Sequence, residues 1–95
     1  MVRFARLMPL GRPFAHLWRG GAKWLAGKKS RAMRDWHTAE VLGTRLGLPY
    51  EVARAHFEIG RHLPEGEART SRLRQAREGF ERLGCAMDLE RLQHL

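Results

Sequence analysis

Cysteine is almost absent from the sequence, since Cys85 is the single one among 95 residues. A lone thiol cannot form an internal disulfide or a multi-thiolate metal site, so neither is expected to stabilise the fold. The sequence also lacks a long apolar run, which argues against a membrane span and against the core of a signal peptide. These absences predict a cytoplasmic location, and the short length predicts at most one small domain.

Acidic residues are missing from the first 34 positions, although ten occur in the rest of the chain. The same stretch carries nine Lys and Arg residues, so the net charge of +8 comes entirely from this first third. Serine occurs there only once, which argues against a mitochondrial transit peptide. A basic patch that would bind nucleic acid or an anionic membrane surface is predicted from Arg12, Lys28, Lys29, Arg31 and Arg34.

Catalytic motifs are missing as well. The sequence contains neither a G-x-x-x-x-G-K-[ST] phosphate-binding loop nor an H-E-x-x-H zinc motif, and no two of its five histidines stand four residues apart. His62 follows Glu58 by four residues, which predicts a local hydrogen bond rather than a metal site. We therefore expect a protein that is not an enzyme and that has no metal and no cofactor.

Apolar residues recur with a period near 3.6, and no stretch alternates with a period of two, so the sequence predicts an all-α fold. Glycine and proline divide the helical pattern, and the short connections predict antiparallel helical hairpins. Residues 1–11 are a basic N-terminal segment or the end of a preceding helix, and residues 12–95 form the helical domain. Four helices and a short C-terminal capping helix are predicted: the first over about 12–26, the second over about 31–46, the third from 49 or 50 to a break at 62–67, the fourth from that break to Gly84, and the last over 88–94. The third has apolar residues on more than one face and is expected to be the central helix.

An internal repeat is the strongest signal in the sequence. Gly21 and Gly60 are each followed three residues later by a large apolar residue, and an Ala-x3-aromatic pair comes downstream of each glycine. The downstream pairs are Ala32 with Trp36 and Ala76 with Phe80, and a Leu-Gly helix end recurs after 37 residues. This order is typical of tetratricopeptide (TPR) repeats, in which a small residue on helix A lets helix B pack closely. A plain four-helix bundle is the alternative.

The chain resembles the TPR-like tail of large bacterial signalling ATPases, including those joined to adenylate or guanylate cyclase domains. The stretches that carry the resemblance are 46–51, 55–62 and the Ala76-x3-Phe80-Glu81-Arg82-Leu83-Gly84 motif, together with Trp36. The resemblance covers residues 12–95 and implies a scaffold that contacts a partner protein or an adjoining ATPase or cyclase-type domain. It implies no catalysis, because the motifs of those domains are absent from this chain.

A TPR-like arrangement predicts a ligand groove formed by the A helices, here the first and the third. Candidate groove residues are those outside the packing stripes, namely Arg19, Lys23, His56 and Arg61. A basic groove of this kind suits an acidic peptide or a terminal carboxylate. The first hypothesis for function is therefore a protein-interaction module, and the alternative is that the basic N-terminal region binds nucleic acid or an anionic membrane.

Tryptophan is concentrated in the first helix. Trp18 and Trp24 flank Arg19 and Lys23, but both lie on the apolar stripe, which favours helix packing over stacking on bases or insertion at a membrane interface. Two hairpins leave the outer face of the first helix without a neighbour. We therefore expect self-association through this helix, or its coverage by an adjoining domain.

Overall fold

The computed structural model describes residues 11–95, with side chains from Phe14 onward. This part of the chain contains five α-helices and no strand, which confirms the all-α prediction. The N-terminal segment 1–10 and the Arg12 side chain lie outside the described residues. The helices are α1 (Gly11–Leu25), α2 (Lys29–Leu46), α3 (Pro49–His62), α4 (Glu67–Leu83) and α5 (Ala86–Gln93).

Three of the four connections are the same glycine turn. Gly27, Gly47 and Gly84 have φ values of 81°, 68° and 71°, a left-handed conformation that glycine adopts without steric cost. The residue after each glycine donates its backbone N–H to a carbonyl in the preceding helix, as Leu48 does to Gly43 at 2.8 Å and Cys85 does to Phe80 at 2.9 Å. Each of these turns ends one helix and reverses the chain within a few residues.

The connection between α3 and α4 is different, because Leu63 is extended and Pro64 follows it. Here an arginine from the next helix donates hydrogen bonds to backbone carbonyl groups at the C-terminal end of α3. Arg69 donates from Nη1 to the carbonyl oxygens of Gly60, Arg61 and Leu63 at 3.0–3.3 Å. A cation close to the helix C-terminus also interacts favourably with the helix dipole.

The helices pack as two antiparallel hairpins, α1 with α2 and α3 with α4, while α2 also packs on α3 and α1 touches α3. Helix α5 packs against α4. Helix α3 is central, as its apolar residues on several faces predicted, because it contributes to both hydrophobic clusters of the fold. One cluster contains Leu17, Ala32, Trp36, Ala39, Ala55 and Ile59, and the other contains Ala53, Phe57, Ala76, Phe80 and Leu92.

The close approach of α1 to α2 occurs at Gly20. A Cβ atom on Gly20 would overlap the indole of Trp36, with Cδ1 at 2.6 Å and Cε2 at 2.7 Å, whereas a Cβ atom on Gly21 would meet nothing within 4 Å. The sequence prediction that Gly21 is the packing glycine is therefore wrong by one position. Gly60 was predicted correctly, because its Cβ atom would lie 2.9 Å from Leu73 Cδ2.

The helices recur at a spacing of 37 residues. Helices α1 and α3 end 37 residues apart, α5 begins 37 residues after α3, and α2 and α4 end 37 residues apart. In this register Ala76 and Phe80 correspond to Ala39 and Gly43. The sequence pattern pairs them instead with Ala32 and Trp36, each of which lies seven residues earlier, or about two helical turns.

The two adjacent glycines of α1 give a matched test of this packing. We expect Gly20→Ala to lower the free energy of unfolding by about 1 to 3 kcal/mol, because the added methyl group must displace the Trp36 ring. Gly21→Ala should raise it by about 0.5 to 1 kcal/mol, because alanine restricts the unfolded chain and meets open space here. Urea denaturation measures both values, and equal effects would contradict the assignment of Gly20.

Candidate functional site

A groove of about 440 Å³ runs between α1 and α3. Its α1 wall consists of large apolar side chains that remain exposed to solvent: Trp18 is 71% exposed, Leu25 is 89% exposed and Phe14 is 49% exposed. Its α3 wall is polar and consists of Arg54, Glu58, Arg61 and His62. The groove is therefore apolar on one side and charged on the other.

Helix α1 has two apolar stripes, which explains the open wall. Leu17, Gly20 and Trp24 face the core, whereas Phe14, Trp18, Ala22 and Leu25 follow one another at intervals of four, four and three residues and line the groove. The expected packing role is confirmed for Trp24, which is partly buried against the first cluster. It is wrong for Trp18, which is 71% exposed and whose ring lies at a steep angle to that of Phe14, at 6.5 Å between centroids.

The arginines of the α3 wall are held in place by one buried carboxylate. Glu58 is buried and accepts hydrogen bonds from Arg54 Nη2 at 2.9 Å and from Arg61 Nε at 3.0 Å. The guanidinium of Arg61 also lies over the Phe57 ring, 5.4 Å from its centroid. Asp88 on α5, which is also buried, lies 3.9 Å from Arg54 Nη1, so two buried carboxylates face the two guanidinium groups of this wall. Arg54 is not among the predicted site residues and Glu58 is predicted only as the partner of His62, although the i, i+4 spacing of Arg54 and Glu58 on a helix is a known signal for an ion pair.

The base of the groove is an aromatic cluster. The His62 ring contacts two tryptophans that also contact each other: it is stacked on Trp36 with 4.6 Å between centroids and tilted against Trp24 at 4.2 Å. The predicted local hydrogen bond of His62 is confirmed, with the backbone carbonyl of Glu58 as its partner at 2.7 Å from Nδ1. His62 thus fixes the end of α3 against the first hairpin. Among the described residues, no group of three His, Cys, Asp or Glu side chains is placed to hold a metal ion.

Only one of the four predicted groove residues lines this groove, and it is Arg61. Arg19 is exposed on α1 outside the lining. Lys23 is paired with a buried carboxylate, its Nζ lying 2.6 Å from Asp35 Oδ2. His56 is buried on the other side of α3, where it faces α2 and α4.

Asp35 is a buried carboxylate on α2 that faces α1. His16 Nδ1 lies 3.0 Å from its Oδ1, and Lys23 approaches its Oδ2. Burial by itself would raise the pKa of Asp35, but the hydrogen bonds and charges of Lys23 and His16 outweigh burial and lower it below 3.8. Lys23 therefore acts as the partner of a buried acid and is not available to a ligand.

His56 belongs to a polar cluster that joins three helices. Arg72 on α4 donates from Nη1 to His56 Nδ1 at 3.0 Å and to Glu40 Oε1 at 2.7 Å. Glu40, on α2, also faces His56 at 3.9 Å. Burial, the largest cause, lowers the pKa of His56, and the Arg72 charge adds to this while Glu40 opposes it. His56 is thus a neutral acceptor in the folded protein at pH 7.

The predicted basic patch forms an exposed end of the first hairpin. Lys28, Lys29, Arg31 and Arg34 are all exposed, around the turn between α1 and α2. Lys29 Nζ lies 5.3 Å from the centroid of the Trp24 ring, a cation–π distance. No acidic residue occurs between positions 14 and 34, so this end is uniformly cationic.

Comparison with protein-family models, with curated proteins and with solved structures gave no match. Within residues 11–95, no helix combines the length and the apolar character that crossing a bilayer requires.

The state of His56 predicts how stability depends on pH. Its pKa is lower in the folded protein than the ordinary 6.5, so below pH 6.5 the unfolded chain binds the proton more strongly and the fold loses stability. A single proton gives a slope of at most about 1.4 kcal/mol per pH unit. The lowered pKa of Asp35 affects stability in a separate pH range, because the stability that this carboxylate contributes is lost as the pH falls below 3.8.

Urea denaturation between pH 7 and pH 5 tests this prediction. His56→Gln keeps an acceptor for Arg72 without a titrating group, and it should reduce the loss of stability in that range. The matched control is His94→Gln, because His94 is an exposed histidine after α5 and is not among the contacts of the Arg72, His56 and Glu40 cluster. A His56→Gln variant with the same pH dependence as the wild type would contradict the assignment.

Proposed function

We propose that this chain is a non-catalytic, TPR-like protein-interaction module and that it binds a segment of a partner protein in the groove between α1 and α3. The observation that carries the proposal is the exposed apolar stripe of α1 opposite the fixed guanidinium groups of α3. Apolar contacts would supply the binding energy, and the charged wall would orient the ligand.

The exposed stripe gives the reason for a partner. Phe14, Trp18 and Leu25 lie side by side, and a contiguous apolar patch on a small protein commonly marks an interaction site. Full burial of one such side chain stabilises a complex by about 1.5 to 3 kcal/mol. The exposed tryptophan is the residue type most often found at the centre of binding surfaces.

The repeat register supports the TPR-like type. Helices α1 and α3 end 37 residues apart, α5 starts 37 residues after α3, and α1 and α3 form the groove as the A helices of such an array do. The resemblance to the tails of signalling ATPases extends the proposal to the partner. The partner that we propose is an adjoining ATPase or cyclase-type domain, or a separate protein that exposes a segment able to bind in the groove.

Peptide selection tests the groove without knowledge of the partner. Peptides selected on the wild-type protein from a displayed random dodecapeptide library should lose affinity for Trp18→Glu by about 30-fold, the loss typical of a central tryptophan. Val41→Glu is the matched control, because Val41 is 53% exposed on α2, away from the groove. Fluorescence polarisation gives the affinities, and urea melts establish that both variants fold.

Equal affinity for the wild type and for Trp18→Glu would overturn the proposal. The test must also recognise another outcome, in which a second copy of the chain occupies the groove. In that case the wild type sediments as a dimer, Trp18→Glu sediments as a monomer, and raising the salt concentration strengthens the dimer because the basic residues near the interface repel one another.

The cationic end of the first hairpin supports a second candidate function, the binding of nucleic acid or of an anionic membrane. Single-stranded RNA and vesicles that contain phosphatidylserine are suitable probes. If several Lys and Arg side chains make the contacts, affinity should fall by orders of magnitude between about 50 and 200 mM salt. A Lys28→Glu/Lys29→Glu variant should abolish this binding and leave peptide binding unchanged.

A further inference from the structure

We propose that the binding face continues across α3 into a second groove beside α5, and that its ligand is an extended segment with the pattern apolar-x-acidic-x-apolar. The two apolar side chains would enter the two grooves, and the acidic side chain would bind Arg61 between them. This inference rests on the proposed function and deepens it, because it assigns the chemistry of the partner.

The second groove has a volume of about 390 Å³ and lies between α3 and α5. Its apolar wall on α5 includes Met87, which is 74% exposed, and Leu95, which follows the helix and is half exposed. Arg61 lines both grooves. The two grooves are therefore neighbours on one face, separated only by α3.

Helix α5 packs mainly on α4 and reaches α3 through side chains. It begins 37 residues after α3, and it follows the same left-handed glycine turn. Leu92 fixes it in the second cluster together with Phe57, and Asp88 lies 3.9 Å from Arg54 Nη1. We infer that α5 extends the row of A helices to three, and that it is more than a cover for α4.

Arg61 is arranged to receive a carboxylate. Its hydrogen bond to Glu58 uses Nε, and its Nη groups have no hydrogen bond to any residue from 14 to 95. The side chain is 42% exposed and is held over the Phe57 ring. A guanidinium fixed in this way can donate two parallel hydrogen bonds to a carboxylate, which a flexible lysine does less well.

The charges around the two grooves favour an acidic ligand. Arg61 is the guanidinium that carries this preference, because Arg91 and Arg54 lie 3.6 and 3.9 Å from the buried carboxylate of Asp88. Glu58 is buried and already shared by two guanidinium groups, and Glu90 is the exposed acid that lines the second groove. The net charge of the chain, +8, adds a long-range attraction for an acidic segment.

The spacing in the pattern follows from the width of α3. A helix with its side chains is about 10 to 12 Å across, so the centres of the two grooves are separated by roughly that distance. An extended chain advances about 3.3 Å per residue, and alternate side chains point to the same side. Residues i, i+2 and i+4 therefore share one face and span about 13 Å, enough to place an acidic group over α3 with an apolar group on each side.

The experiment uses the random dodecapeptide library as the probe. Peptides selected on the wild type should be enriched in the apolar-x-acidic-x-apolar pattern, and Met87→Glu should weaken them by about tenfold. Met87→Leu keeps the apolar wall and should retain their affinity, and Val41→Glu is again the control on another face. Selection on Arg61→Gln should give peptides without preference for an acidic central residue, and selection on Arg61→Glu should favour a basic one.

The outcomes separate this inference from the proposed function. If Trp18→Glu abolishes binding and Met87→Glu does not, the second groove is excluded and the interaction module stands. If neither variant affects binding, both proposals are wrong. Selected peptides that keep an acidic central residue on Arg61→Glu would overturn the role of Arg61 alone.

Discussion

The fold depends on the space that Gly20 leaves for Trp36. The indole is fully buried under α1, and its Nε1 donates to the Leu17 carbonyl at 3.3 Å, so the ring fixes both the distance and the rotation of α1 on α2. The same ring stacks on His62 at the end of α3. One side chain thus joins the two helices of the first hairpin and attaches the second hairpin to them.

The groove is a consequence of this constraint. Once Trp36 has fixed the rotation of α1, only one of the two apolar stripes of α1 can enter the core, and the stripe with Trp18 and Leu25 is left facing the α3 wall. Glu58 fixes the positions of the two guanidinium groups on the α3 wall, because a buried carboxylate needs hydrogen-bond partners and these two arginines supply them. The arrangement of the site is therefore built into the packing of the fold.

The sequence was sufficient to predict the helices, because glycine, proline and a period of 3.6 mark helix ends and faces directly. The structure confirms the start of α3, the end of α4 and the central place of α3. Periodicity could not decide between Gly20 and Gly21, which differ by about 100° of rotation, or between the two apolar stripes of α1. The prediction that His56 lines the groove is wrong because the sequence does not show which side chains face it. A histidine beside apolar residues fits a buried polar cluster as well as a groove.

The position of α3 also determines how the molecule comes apart. Its residues alternate between the clusters, with Ala53 and Phe57 in one and Ala55 and Ile59 in the other. Stacked repeats often open from one end, because each repeat contacts only its neighbours. Here neither hairpin can separate without exposing one side of α3 to water. The chain should therefore lose its structure in a single cooperative step, with the amide hydrogens of α3 the last to exchange with solvent.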